Sequence, residues 1–347
     1  SILICNIQFL DGTNQDFVIP KKSYGSFLLK KAFEHVDLLE VDYFGLQFTD
    51  PVQNINRWLE FNKQVKKQYS GSMDSSSQLR VKFYSSQPSN LKEEITRYYV
   101  YLQLKEDIRV GRLACPDDVA MELGALVIQA ELGDYDSAEH TLEVVAQFDL
   151  VPKQTKEIEV GVLENYKKLK GMSPSQSELS YLNKARWLEA YGVDFHDVKG
   201  RDDNDYRLGL VPTGILVFEG SQRIGLFYWP KITKLQFKKK KLILNVVESD
   251  DKGVDQEHTF VFRSSSDRAC KHLWKCAVEH HAFYRLSGPT KSVTVRSPFF
   301  RLGSKFRYSG NTELQSLTST RARRSVTFER RSSQKRPRFQ GQSSRST

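Results

Sequence analysis

The chain has 347 residues, 39% hydrophobic and 27% charged, with a formal net charge of +10 at pH 7. That length predicts two or three domains with real apolar cores, and no apolar run approaches the ~18–20 residues of a transmembrane helix. The charge is not spread evenly: residues 287–347 hold 14 Lys/Arg against 2 Asp/Glu, so the rest of the chain is near neutral and a pI argument for the whole would mislead. Four scattered cysteines, Cys5, Cys115, Cys270 and Cys276, fit free thiols in a reducing compartment better than a disulfide framework. The chain opens on Ser1-Ile-Leu-Ile, inside a strand by its pattern and without a signal peptide, and reads as a segment of a longer protein.

Residues 1–84 predict a small α/β module. Ile2 to Leu10 alternates as a strand, Asp11-Gly12 turns, and Gln15 to Ile19 returns. A helix follows from Tyr24 to Val36, then strands at Tyr43 to Phe48, Trp58-Leu59 and Leu79 to Phe83, a ββαββ order of the ubiquitin-like kind. Gly71 to Gln78 is a Ser-rich insert before the last strand. Residues 85–90 are a linker, and 91–190 read as four or five helices: Leu91 to Val110, Pro116 to Leu132, Thr141 to Gln147, Lys156 to Lys170, and one opened by the capping box Ser173-Pro174-x-Gln176 and ended at Tyr191-Gly192. Residues 193–286 form a sandwich. Its strand candidates are Ile215–Glu219, Arg223–Trp229, Ile232–Phe237, Leu242–Val247 and His258–Arg263, broken at the intervals of a small antiparallel sandwich or barrel. A closing helix runs from Asp267 to Tyr284. It carries one stripe for the sheet (Cys270, Leu273, Ala277, His280, Tyr284) and a second (Trp274, Val278, His281) that faces a neighbouring domain or a bound peptide. Residues 287–347 predict a largely disordered basic tail.

This order and these motifs resemble a FERM domain of the band 4.1 superfamily. The matching stretches include Val41-Asp-Tyr-Phe-Gly-Leu46, Val81-Lys-Phe-Tyr84, Leu102-Gln-Leu-Lys-Glu-Asp107, Glu131-Leu-Gly-Asp-Tyr-Asp136, Glu189-Ala-Tyr-Gly-Val-Asp194, Trp229-Pro-Lys-Ile232 and Lys271 to His281. The resemblance implies a multidomain α+β fold, a three-lobed cloverleaf: a ubiquitin-like lobe (1–84), an acyl-CoA-binding-protein-like helical bundle (91–190) and a PH/PTB-like β-sandwich with a C-terminal helix (193–286). Phe299 to Gly310 resembles the FERM-adjacent region, and with Arg323 to Arg331 it points to the Yurt and band 4.1-like protein 5 type. One departure is the loop Ser70 to Ser77, which lacks the usual Pro-containing form.

No catalytic constellation stands out: there is no G-x-x-x-x-G-K-[ST], G-x-S-x-G or H-E-x-x-H motif. A tyrosine phosphatase needs a Cys with an Arg six residues on, but Cys115 is followed at that distance by Met121 and Cys270 by Cys276. Cys276 and His280 sit at i, i+4, good spacing for two zinc ligands, yet no second pair is evident. No metal site, cofactor or enzymatic activity is expected; His280 reads as a core histidine.

The resemblance implies binding of the juxtamembrane tail of a transmembrane protein, of the Crumbs type for Yurt-like members. In PTB-like folds an extended peptide adds to an edge strand beside the C-terminal helix. Here that groove would comprise Ile232, Thr233, Lys234, Leu235, Gln236, Phe237, Trp274, Val278 and His281. Relatives also hold acidic phosphoinositides in a cleft matched by Lys63 and Lys271, where another basic position of the cleft is Glu60 in this chain. Lys66 and Lys67, and the tip Lys238, Lys239, Lys240 and Lys241, add attraction to anionic lipid, about 1 kcal/mol per Lys near the surface. Ser304, Ser325 and Ser333 lie among basic residues at spacings basophilic kinases use, and phosphorylation there would cancel much of the tail's field. Nucleic acid is not an expected partner, because no recognition fold accompanies the basic tail. The reading is a non-enzymatic adaptor in the cytoplasm beneath the plasma membrane, at the cortex and junctions, serving epithelial polarity. Alternatives are the regulatory half of a FERM-containing tyrosine phosphatase, or an actin/spectrin linker of the protein 4.1 type.

Overall fold

The computed structural model describes residues 1–50, 54–69, 76–249, 253–285, 301–302, 308, 310–318 and 328–332. The chain divides into two compact units, one of residues 1–86, 90–93 and 192–324, the other of 87–89, 94–191 and 325–347.

The first unit begins with strands β1 (Ile2–Gln8) and β2 (Asn14–Pro20), helix α1 (Gly25–His35), strands β3 (Phe44–Asp50) and β4 (Ile55–Trp58), the short helix α2 (Val65–Gln68) and strand β5 (Ser76–Val81). The sheet order is β2-β1-β5-β3-β4, with β5 parallel to β1 and antiparallel to β3. Period-two alternation explains β1: Cys5 and Ile7 point into the core while Ile2 and Ile4 stay exposed. Ile7, Leu28 and Leu46 are fully buried, each stabilising by about 2 kcal/mol. Ser76 to Gln78, assigned to the insert by sequence, are strand: Ser77 pairs with Ile7 and Gln78 with Gln47. The rest of that insert lies outside the described residues.

The second unit contains α3 (Glu94–Arg109), α4 (Asp117–Leu132), α5 (Leu142–Val145), α6 (Lys156–Tyr166) and α7 (Pro174–Ala185). Asp117 and Asp118 complement the α4 dipole at its first turn, and Gly133, at φ 80°, ends it. The capping box is present in full: Ser173 accepts from the Gln176 amide, and Gln176 reaches back to the Ser173 amide. Helices α4 and α6 approach closely at Gly161, where an added Cβ would lie 2.2 Å from Met121 Sδ. Residues 328–332 dock on this unit. The Phe328 ring lies 5.1 Å from Tyr98, Arg330 pairs with Glu178 at 2.7 Å and also with Glu94, and the Arg331 amide donates to Tyr98 Oη at 3.1 Å. The expectation of a largely disordered tail does not extend to this segment.

The first unit resumes with β6 (Asp194–Lys199), β7 (Asp205–Val211), β8 (Gly214–Glu219), β9 (Gln222–Tyr228), β10 (Ile232–Lys238), β11 (Lys241–Ser249), β12 (Asp255–Arg263), helix α8 (Asp267–Arg285), the two-residue strand β13 (Arg301–Leu302) and α9 (Glu313–Thr318). The sheet order is β13-β10-β11-β12-β6-β7-β8-β9. Strands β6 and β7 were not among the sequence candidates: both carry charged residues, and β6 is only half-buried. One core gathers Leu208, Ile215, Trp229, Leu235, Leu244, Leu273 and Trp274 between sheet and helix. Further on, Asp42 accepts from Asn311 Nδ2 at 3.1 Å and from Ser316 Oγ at 2.8 Å, so the start of α9 is fastened to the first sheet's domain.

Within this unit α8 packs against the chain leaving β5. Phe83 and Phe283 stack at 4.2 Å and 9°. Tyr284 Oη accepts from the Tyr84 amide at 2.9 Å and donates to the Tyr84 carbonyl at 2.8 Å. Nearer the start of α8, Lys275 reaches Glu60 in the loop after β4, beside the cleft described next.

Candidate functional site: a basic cleft and a sheet edge

The first feature is a cleft of about 210 Å³ lined by Arg57, Trp58, Glu60 and Lys63 on one side, and by Arg268, Lys271, His272, Lys275, Cys276 and Glu279 of α8 on the other. Five cationic side chains face two carboxylates. The loop wall is held rigidly. Gln68 accepts from the Glu60 amide at 2.8 Å and donates to the Glu60 and Lys63 carbonyls at 3.0 Å. The Gly25 amide donates to the Lys63 carbonyl at 2.8 Å, and a Cβ at Gly25 would sit 2.2 Å from the Glu60 carbonyl oxygen. Only glycine permits that approach.

Glu60 sits at the electrostatic centre. Its carboxylate accepts from Lys63 Nζ at 2.8 Å and from Lys275 Nζ at 2.8 and 2.9 Å. Burial alone would raise the Glu60 carboxyl, but the hydrogen bonds and charges of Lys275 and Lys63 outweigh it and hold the group below its usual 4.5. Deeper in, Lys82 pairs with Glu279 and lies over the Trp58 ring at 5.5 Å. The cleft therefore keeps a positive surplus, and an anion entering it would compete with Glu60 for Lys63 and Lys275.

Of the lysines proposed from sequence, Lys63 and Lys271 line this cleft. Lys66 and Lys67 are exposed on α2 and are not in its lining, and Lys238 to Lys241 form the exposed β10–β11 tip, with Lys239 at φ 54°. Sequence reading missed Arg57, Arg268 and Lys275. The α8 members were detectable: 268, 271, 272, 275, 276 and 279 follow helical spacing and make a third face.

The second feature is the edge of β10. Ile232 and Leu235 point into the core. Thr233 Oγ1 donates to Glu257 at 2.6 Å, and the Phe237 ring packs 5.1 Å from Trp274; Lys234 and Gln236 alternate with the buried positions. The second helical stripe needs correction. Trp274 is fully buried, with Nε1 donating to the Leu235 carbonyl at 3.2 Å, and Val278 is buried as well. Two stripes are consumed because sheet strands pack on both sides of the helix's inner face. His281 is partly buried, edge-on to Trp229 at 5.5 Å. Nor is the β10 edge bare: β13 adds to it in parallel, Lys234 opposite Arg301 and Leu235 opposite Leu302. Ser304, Ser325 and Ser333 lie outside the described residues.

Comparison with known families matches four stretches in order: the FERM N-terminal domain over residues 7–71, the FERM central domain over 86–196, the FERM C-terminal PH-like domain over 200–292 and the FERM adjacent region over 298–339. The chain carries the three FERM domains and a FERM-adjacent region. Human tyrosine-protein phosphatase non-receptor type 4 is 40% identical over 316 residues, 91% of this chain and 34% of that protein. Mouse band 4.1-like protein 4A is 40% identical over 321 residues, 90% and 46%. Human protein 4.1 is 42% identical over 312 residues, 90% and 35%. The chain thus spans between a third and a half of these relatives. The FERM and C-terminal domain complex of Drosophila Merlin shares the fold, with a TM-score of 0.71 at 23% identity over 81% of this chain and 96% of that one. Among the described residues no helix is long and apolar enough to cross a membrane.

Proposed function

We propose that this FERM module is a non-enzymatic adaptor that joins the cytoplasmic tail of a transmembrane protein and acidic phospholipid to the cell cortex. The observation that carries the reading is the β10 edge. It already takes a strand, Arg301–Leu302, by backbone pairing, so its outer ladder is competent for the strand addition by which extended peptides bind. The basic cleft supplies a lipid-facing surface, with Lys63 and Lys271 as sequence reading expected, joined by Arg57, Arg268 and Lys275. The groove is redrawn: Lys234, Gln236 and the backbone of Ile232, Thr233, Leu235 and Phe237 meet the peptide, His281 lies at the margin, and Trp274 and Val278 act from behind as core. The Yurt-like assignment, a Crumbs-type tail as ligand and a role in junctions and epithelial polarity belong to this proposal, as does regulation by phosphate on Ser304, Ser325 and Ser333.

The test is fluorescence anisotropy of a labelled Crumbs-type juxtamembrane peptide with the whole chain and with Leu302→Pro, which breaks β13 without touching β10. Binding in the micromolar range, tightened several-fold by the substitution, supports the groove. Absence of binding by both proteins removes the Crumbs-type ligand. The similarity to a tyrosine phosphatase keeps a second reading, the targeting half of such an enzyme; a catalytic Cys with an Arg six residues on, encoded after Thr347, would establish it.

A further inference from the structure

Strand β6 presents Asp194 and His196 at i, i+2, on one face of the sheet. Helix α8 presents His272 and Cys276 at i, i+4, on one face of the helix. The fold sets these two faces together. Asp194, His196 and Cys276 offer ligand atoms that all lie within 4.8 Å of one another, the one such group of His, Cys and carboxylate among the described residues. Cys276 Sγ lies 3.7 Å from His272 Nε2 and 3.8 Å from its Nδ1, and the His196 and His272 rings are 5.6 Å apart.

Two details separate this cluster from ordinary packing. Asp194 Oδ2 and His196 Nε2 face each other at 3.1 Å, and both atoms are buried from water. Taking a carboxylate and an imidazole out of water together is costly unless partners compensate it. The spacings also suit a metal. Bonds of ~2.0–2.1 Å to N or O and ~2.3 Å to S, arranged tetrahedrally, put ligand atoms about 3.3 Å apart for an N/O pair and about 3.6 Å apart for an S/N pair. The structure has 3.1 Å for the N/O pair, with Cys276 Sγ within 4.8 Å of both.

We propose that Asp194, His196, Cys276 and His272 form a zinc(II) site that staples β6 to α8. Asp194, His196 and Cys276 supply the first three ligands, and a rotation of the His272 ring, which lines the open cleft, brings the fourth. On binding, the Cys276 S–H bond is replaced by an S–Zn bond and the proton leaves to solvent. The carboxylate and thiolate together cancel the dication, so the loaded site is neutral and binding, with one proton lost, raises the local charge by one. His280 is not in the converging group; its Nδ1 bonds at 2.8 Å with the Cys276 carbonyl. The bond instead steadies the turn of α8 that carries Cys276.

The experiment uses the whole chain, stripped with a chelator and titrated with zinc(II) or with cobalt(II) as a spectroscopic stand-in. The expected result is one metal per chain, with the thiolate-to-cobalt charge-transfer band and the intense visible bands of a tetrahedral site. Cys276→Ser and His196→Gln should each weaken the metal at least tenfold, while Cys270→Ser should not. X-ray absorption at the zinc edge of the unsubstituted protein reads the shell without any variant, and should show one sulfur with three N/O neighbours. A shell of N/O only, a stoichiometry below one, or cobalt spectra unchanged by Cys276→Ser would overturn the assignment.

Discussion

Single side chains set the character of the cleft. Glu60 neutralises Lys63 and Lys275, so Glu60→Gln should release both ammoniums to an anion. Co-sedimentation with phosphoinositide-containing vesicles is expected to strengthen several-fold at low salt and to fall steeply as salt rises. His281 sets an acid limit. Burial, with Arg285 nearby, pushes its imidazole down to about 4 from 6.5. Above pH 6.5 the ring is neutral whether the chain is folded or not, and it contributes nothing. Between 6.5 and about 4 the unfolded chain takes up a proton that the folded one refuses, so stability falls on acidification by at most about 1.4 kcal/mol per pH unit. Thermal melts of His281→Gln should lose stability less steeply than the parent across that window. Glu60 acts only lower, below the ordinary carboxylate value, where its protonation ends the pair with Lys275.

At the scale of elements, the described stretches of the tail are docked: residues 301–302 pair with β10, Asn311 and Ser316 bond to Asp42, and residues 328–332 lie on the helical unit. Residues 328–332 lie on the helical unit through Arg330, whose guanidinium takes the buried Glu178 carboxylate at 2.7 and 3.1 Å. Burial raises the Glu178 carboxyl more than Arg330 lowers it, the mark of a charge that depends on its partner. Arg330→Ala should therefore cost about 3 kcal/mol in urea unfolding, while Arg330→Lys recovers part of it. Little of this was legible beforehand. Arg323 to Arg331 reads from sequence as a subtype marker in a largely disordered tail, with basic residues around kinase-site serines, because no local pattern says that a buried glutamate waits 152 residues away. The capping box at Ser173, by contrast, was read correctly, since its donors and acceptors are only three residues apart.

Across the first unit, the two sheets are coupled through α8. The Tyr284 hydroxyl ties the Tyr84 amide and carbonyl, and the Phe83–Phe283 stack lies beside it. Tyr284→Phe keeps the ring but leaves the Tyr84 amide without that acceptor, so a loss of about 1–3 kcal/mol is expected in denaturant melts.

The sequence by itself determined most element types, the order of the FERM domains and the uneven charge, because periodicity, caps and turn residues act over a few positions. The family resemblance singled out Lys63 and Lys271, which line the cleft. Only the tertiary structure decided which helix faces are core. Trp274 looked surface-facing as a second stripe, and it is buried because its indole reaches the Leu235 carbonyl of a strand 39 residues earlier. Only the tertiary structure closed the β10 edge with residues 301–302, and only it set Asp194 and His196 beside His272 and Cys276. These are pairings of distant residues, fixed by how a sheet and a helix share one core, and local sequence carries no record of them.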